Sequence, residues 1–328
     1  MGAPAADLAG SGRWGRIPSG PVPYLSAVIP ATDRPPTLDR CLEAIRAADD
    51  PPEEIIVVDG PSGAFPGEAR NAGVQKATGE VVVFVDSDVV VHRDAFARIR
   101  AAFARDAGLT AVFGSYDDAP GAPGVVSGFR NLLHHHVHQE AAGPASTFWS
   151  GLGAVRRDAF LAAGGFSDRR YLEDVELGIR MHATGALIEL DAQLQGTHLK
   201  SWSLGEMVRT DFTGRALPWL EILCEYGPSS TLNLGWRHRA SAGLSVVGLW
   251  AVARRRPVPL VGAGLGLVAL NAPFYALLLR RCGPLAATAG VGLHALHHLT
   301  AVAALPAGFA RCAASRLRAT APGQPLRQ

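Results

Sequence analysis

Through the first two hundred residues, short apolar runs alternate with stretches whose apolar residues recur at helical spacing. Residues 25–30 (LSAVIP), 54–59 (EIIVVD) and 80–85 (EVVVFV) predict three buried strands. Residues 37–48, with Leu38, Leu42 and Ile45 on one face, predict a helix, as do 68–77 and 95–107. Further on, 110–114, 150–155 and 186–190 read as strands, 128–141 and 172–184 as helices, and 114–128 as a Gly/Pro/Asp-rich loop. This alternation predicts an α/β domain, a mostly parallel central sheet covered on both faces. Ligands of such sheets bind beyond the carboxyl ends of the strands, where Asp59 and Asp86 fall.

After His198 the pattern changes. Trp202, Trp219 and Trp236 punctuate an amphipathic stretch that suits a membrane interface as well as a core. Residues 257–279 and 282–310 hold no charged side chain, and both exceed the roughly 20 residues of a spanning helix. Residues 240–253 are too short to span. The expected organisation is therefore a leader at 1–23, a domain at 24–235 and a membrane-associated region at 236–328. That last region would comprise an interfacial segment at 240–253 and transmembrane helices at 257–279 and 283–306. With a hairpin of two spans, nine arginines lie on the side of the domain and two, Arg280 and Arg281, opposite; three spans leave four and seven. The positive-inside rule favours the hairpin. A buried hydrophobic helical subdomain is the other reading.

Composition sharpens this division. With 48% hydrophobic and 18% charged residues the chain is neither disordered nor collagen-like. Its net charge of +2 conceals an acidic body, 29 acids against 20 Lys and Arg by residue 236, and a tail with 11 arginines and no acid. A basic, apolar tail predicts an anionic membrane surface as partner; it is too apolar for nucleic acid. Four scattered cysteines without a C-x-x-C pair imply neither a zinc site nor a disulfide framework, and a reducing compartment is the simplest expectation. Residues 1–23 lack the apolar core of a signal peptide and read as a disordered leader, which keeps the body on the cytosolic side.

The strongest local signal is Asp86-Ser87-Asp88, directly after VVVFV. Two carboxylates at i and i+2 in a turn can address one divalent cation and the phosphates it carries. Taken alone, such acids in a turn are usually just solvated. In context, SAVIPATDRPPTLDRCLEAI, EIIVVDG, ARNAGVQKATGEVVVFVDSDVVV and GLGAVRRDAFLAAGGFSDRRYLEDVELGIRMHATG together resemble the family 2 glycosyltransferases of the GT-A fold, over about residues 24 to 200. The stretch HLKSWSLGEMVRTDFTGRALPW is similar to that of membrane-attached bacterial members. Two departures stand out: Asp59-Gly60-Pro61-Ser62 replaces the usual Asp-Asp-Gly-Ser, and the Q-x-x-R-W motif of processive synthases is missing.

The resemblance implies a Rossmann-like GT-A domain that moves a single sugar from a nucleotide-sugar to a membrane or lipid-linked acceptor at the cytoplasmic face of the cell membrane. Pro30, Thr32 and Asp59 would line the nucleotide pocket, with Arg70 and Asn71 near the donor. Asp86, Ser87 and Asp88 would hold the diphosphate through Mg²⁺ or Mn²⁺, with His198 as a third metal contact. Glu173-Asp174 opens a helix, where an acid is ordinarily a dipole partner; the resemblance implies that Asp174 is the base of an inverting displacement. Glu176 reads as a helix-surface acid. Arg209 and Arg215 suit either diphosphate or anionic lipid. His134, His135, His136 and His138 read as a polar helix face lining the acceptor cleft, and His294, His297 and His298 as a packed face within the last apolar segment. The alternatives are a polyprenyl-phosphate glycosyltransferase making a lipid-linked donor, and a catalytically silent membrane scaffold.

Overall fold

The computed structural model describes residues 23–61, 63–227 and 235–319, so the predicted leader lies outside the described residues save Pro23. The first part builds β1 (Leu25–Pro30), α1 (Leu38–Arg46), β2 (Glu54–Val58), α2 (Pro66–Lys76), β3 (Val81–Val85), β4 (Val89–Val91) and α3 (Ala95–Arg105). There follow β5 (Leu109–Tyr116), α4 (Val125–Glu140), β6 (Gly143–Ala145), β7 (Leu152–Arg156), α5 (Arg157–Ala162), α6 (Glu173–Ala183) and β8 (Leu187–His198).

The strands form one sheet in the order β2-β1-β3-β7-β5-β8-β4, with β6 beside β8. The expected mostly parallel sheet is in fact mixed. The pairs β1–β2, β1–β3 and β5–β8 are parallel, whereas β3–β7, β5–β7, β4–β8 and β6–β8 are antiparallel. Helices cover both faces, so a strand reads as a continuous apolar run whichever way it points, and direction leaves no trace in the pattern. Alternate residues of β3 serve the two faces. Val81, Val83 and Val85 pack with Ile45 of α1 and Phe96 and Ile99 of α3, while Val82 and Phe84 pack with Phe113, Phe148, Phe160 and Phe166.

The C-terminal part comprises α7 (Leu204–Arg209), a π-helical turn (Thr210–Ala216), α8 (Leu217–Tyr226), α9 (Trp236–Ala253), α10 (Pro257–Leu270) and α11 (Ala272–Ala319). The segment 257–279, expected as one span, is two helices. α10 ends at Asn271 and α11 begins with Pro273 in its first turn, at 80° to α10. Proline cannot donate the amide that would continue α10, and Asn271 Nδ2 instead donates to Leu267 O and Ser241 Oγ, both at 2.9 Å. Gly283, at φ +81° and ahead of Pro284, bends α11 again. Among the described residues no single helix is long and apolar enough to cross a membrane, although the bent pair passes by length and composition.

The tail packs on the body. Phe129, Leu132 and Leu133 of α4 and Met207 of α7 share a core with Phe274, Tyr275, Leu277 and Leu278 of α11. Three tail arginines bind body acids: Arg237 to Glu140 at 3.0 Å, Arg311 to Glu221 at 3.0 Å, and Arg281 to Asp118. The cysteines also depart from expectation, because Cys224 of α8 and Cys312 of α11 form a disulfide. Their separation of 88 residues hid the pairing; the fold brings their Cα atoms to 6.2 Å.

Candidate active site

Asp86, Ser87 and Asp88 form the turn from β3 into β4, closed by the Val89 amide donating to Asp86 O at 2.9 Å. β4 pairs with β8 so that Val89 faces His198. This register brings His198 Nε2 to 3.5 Å from Asp88 Oδ2. His198 is buried, and its ring stacks on Tyr116 at 4.1 Å. Burial raises the Asp88 carboxyl, but pairing with His198 and the charge of Lys200 outweigh this and hold it below the ordinary carboxylate range.

Arg70, predicted near the donor, is a buried bridge in α2. It donates to Asp86 Oδ1 at 2.5 Å and to Glu173 Oε1 at 2.8 Å. Asp86 is nonetheless raised, since burial and the nearby Asp88 and Asp174 oppose Arg70. Burial, then repulsion from Asp174, pushes Glu173 to about 7 against the attraction of Arg70. Glu173 drew no role from sequence, where it was only the first acid of a helix. Asn71 departs from its predicted role. Its amide donates to Phe166 O at 2.8 Å and accepts from Phe166 N at 2.9 Å, which latches the loop ahead of α6 to α2.

Asp174, in the first turn of α6, accepts at Oδ2 from Ser150 N at 3.0 Å and Ser150 Oγ at 3.1 Å. The next residue, Gly151, accepts from the Asp86 amide at 3.0 Å, so one turn before β7 holds both acids. Gly178 sets the position of α6: a Cβ there would lie 2.2 Å from Phe148 N. Glu176 is not a surface acid. It is buried and accepts from Arg180 at 2.7 Å and Tyr226 at 2.6 Å.

A cavity of about 220 Å³ opens beside the turn. Asp86, Asp88, His198, Arg130, Lys200, Trp202 and Arg215 are among its lining residues. Arg130 is buried, donates to Asp211 Oδ1 at 2.8 Å, and is pushed down to about 9 by burial and then by Arg215. One of its terminal nitrogens, Nη2, has no hydrogen-bond partner, nor does the buried indole Nε1 of Trp202. These are donors held in place without acceptors, on residues that line the cavity. Asp211 and Arg215 belong to the π-helical turn, a distortion frequent at functional sites. Arg209 is exposed and does not line the cavity. Of the histidines predicted on the acceptor cleft, His134 lines the cavity, whereas His135 donates to Tyr116 O and the buried His138 to Gly114 O.

Pro30, Thr32 and Asp59 lie at the carboxyl ends of β1 and β2, the same sheet edge as Asp86. Asp59 is exposed and paired with Arg34 at 2.6 Å. The predicted metal set of Asp86, Asp88 and His198 is not assembled. Among the described residues no three His, Cys, Asp or Glu side chains converge, and Arg70 holds Asp86. Two carboxylates and several cationic donors still line one cavity. Mg²⁺ commonly takes one or two carboxylates plus phosphate oxygens, so the donor set fits a cation arriving with a diphosphate.

Residues 64–162 match the family model described as Glycosyl transferase family 2. That segment, less than a third of the chain, is similar to the family 2 glycosyltransferases. The match runs from the approach to α2, through Asp86 and Asp88, to the end of α5, and so contains Asp86, Asp88, Tyr116, Arg130 and His134 of the cavity lining. No curated protein sequence matches the chain. A mannosyltransferase from Pyrobaculum calidifontis, solved in complex with GDP-Man and Mn²⁺, has a similar fold: TM-score 0.54 at 18% identity, covering 89% of this chain and 90% of that one. TarS 1-349 of S. aureus superposes with TM-score 0.44 at 15% identity, over 84% of this chain and 90% of its own. A glucosyl-3-phosphoglycerate synthase from Mycobacterium tuberculosis, solved with Mn²⁺ and UDP-glucose, gives 0.43 at 18%, over 63% and 81%. The glycosyltransferase fold shared with the first of these extends over nearly the full length of both chains.

Proposed function

We propose that this glycosyltransferase moves one sugar from a nucleotide-sugar to a hydroxyl or phosphate of a membrane-held or lipid-linked acceptor, by a metal-assisted single displacement with inversion. The observation that carries this reading is the cavity at the end of β3, whose lining combines the carboxylates Asp86 and Asp88, inside the family-matched segment, with the cations Arg130, Lys200 and Arg215. Asp86 and Asp88 would hold Mg²⁺ or Mn²⁺, which when bound neutralises charge on the departing diphosphate. Lys200 and Arg215 donate to its remaining oxygens. Asp59 contacts the nucleoside from the same sheet edge. Asp174, oriented by Ser150, takes the proton of the attacking hydroxyl.

Membrane attachment rests on the hairpin of α9 and α10. Leu249, Trp250 and Val252 on one helix and Val258, Val261 and Leu265 on the other are exposed, and Arg254, Arg255 and Arg256 sit at the turn between them. Apolar surface rimmed by cations suits an anionic bilayer surface. We place the catalytic side in the cytosol. Disulfides are rare there, so Cys224 and Cys312 would then be found as thiols in intact cells; a fully oxidised pair in an alkylation assay would reverse the orientation.

The test of function is a screen of sugar nucleotides with purified full-length protein, Mn²⁺ and a lipid extract, reading nucleoside diphosphate release. Lipid-dependent release that disappears in Asp88→Asn is expected. Equal release without lipid would exclude a lipid acceptor.

A further inference from the structure

Beside the catalytic cavity lies a second, larger hollow of about 600 Å³, within the roughly 300–1,000 Å³ of small-molecule sites. It runs between α8, α9 and α11, and most of its wall is apolar: Trp219, Leu220, Leu223, Val246, Val302 and Leu305. At one end stand Asp211 and Arg215, and Arg215 also lines the catalytic cavity. The apolar groove and the polar site thus meet at Arg215.

The polar groups at this junction indicate the head of the ligand. Asp211 is the acid among the residues lining the groove, and it is already satisfied by Arg130 at 2.8 Å and His297 at 2.8 Å. Its carboxyl is raised by burial but held at about 2 by His297, Arg130 and Arg215. Arg130 Nη2 and Trp202 Nε1, buried without partners in the adjoining cavity, have hydrogens to donate. His298, 4% exposed on the groove wall, likewise leaves Nε2 unpartnered. Unfilled donors and guanidinium groups at the mouth of an apolar slot match an oxygen-rich anion on a hydrocarbon chain.

We propose that the groove between α8, α9 and α11 binds the hydrocarbon chain of a long-chain phosphate or phosphodiester, with its phosphate against Arg215 and Arg130 at the edge of the catalytic cavity. This rests on the glycosyl-transfer reading and specifies the acceptor class: an amphiphile whose phosphate end is delivered to the donor site while its chain stays in the tail helices.

Calorimetric binding of n-dodecyl phosphate, below its micelle-forming concentration, to the full-length protein tests this. Affinity should fall by up to roughly fourfold per methylene removed toward octyl phosphate, and inorganic phosphate should bind at least a hundredfold more weakly. Gly243 lines the groove, and a Cβ there meets nothing within 4 Å, so Gly243→Phe occupies the slot without a backbone clash. It should weaken dodecyl phosphate binding at least tenfold with the unfolding temperature preserved. Arg215→Gln should abolish the preference for dodecyl phosphate over uncharged dodecyl maltoside while keeping the dependence on chain length. Wild-type affinity in Gly243→Phe, or equal affinity for inorganic and dodecyl phosphate, would overturn the proposal. Nucleotide release from sugar nucleotides is read separately: its complete absence in the wild type would defeat the transferase reading whatever the groove binds, whereas chain binding indifferent to Gly243→Phe defeats the groove alone.

Discussion

The catalytic cavity and the apolar groove share Arg215 but are built by different means. The cavity lies where strand ends and their loops converge, and backbone register places its charges: pairing of β4 with β8 sets His198 beside Asp88, and the turn before β7 ties Asp86 to Asp174. The groove is made by helices from opposite ends of the C-terminal part, held by a disulfide, ion pairs and the core shared by α4 and α11. On the proposed reading the chemistry would belong to the body, while access for an acceptor would depend on how the tail is seated.

The comparison can be broken at either end. The largest effect is expected for Asp174→Asn, which should lower kcat by roughly 10²–10⁴-fold while the amide oxygen keeps its bonds from Ser150, so stability should barely move. A smaller loss would put the base elsewhere. Next in size are two stability changes. Arg70→Met leaves Asp86 and Glu173 buried without their partner and should cost about 3–5 kcal/mol. Phe274→Ala opens the core shared by body and tail and should cost about 3–5 kcal/mol. In urea denaturation both should shift one cooperative transition; a separate early transition confined to Phe274→Ala would make body and tail independent units.

A smaller effect is expected from pH. Glu173 titrates near 7 in the folded chain and near 4.5 when unfolded. Between those values the folded state holds the extra proton, so this group makes stability fall as pH rises. His134 and His138, lowered first by burial, push the opposite way below pH 6.5. The diagnostic is therefore the difference between variants: relative to Glu173→Gln, the wild type should lose stability from pH 4.5 to 7, and parallel curves would show that Glu173 ionises normally. The smallest effect is expected for Arg237→Ala, which removes a partly exposed tether to Glu140 and should cost at most about 1 kcal/mol.

Much of the body was legible because its elements carry strong local patterns. β1, β2, β3 and α1 lie within a residue or two of the expected bounds, since continuous apolar runs and the Leu38-Leu42-Ile45 spacing admit few alternatives. The second half of β8, residues 191–198, was missed because DAQLQGTH lacks an apolar run; pairing with β4 and β5 makes it a strand. The site was legible in part. Asp86, Asp88 and Asp174 stood out by motif, but Arg70, Glu173, Arg130 and Trp202 gave no local sign of their partners, which lie 16 to 103 residues away for Arg70 and 81 for Arg130.

The sequence by itself determined the α/β body, the acidic turn after β3 and the separation of an acidic body from a basic, apolar tail, since local periodicity and composition decide these. Tertiary structure alone decided the direction of the strands, the bridging of Asp86 and Glu173 by Arg70, the Cys224–Cys312 bond and the groove that meets the cavity at Arg215. Each of these depends on contacts between residues distant in the chain, and a local pattern carries no record of which distant residue will arrive.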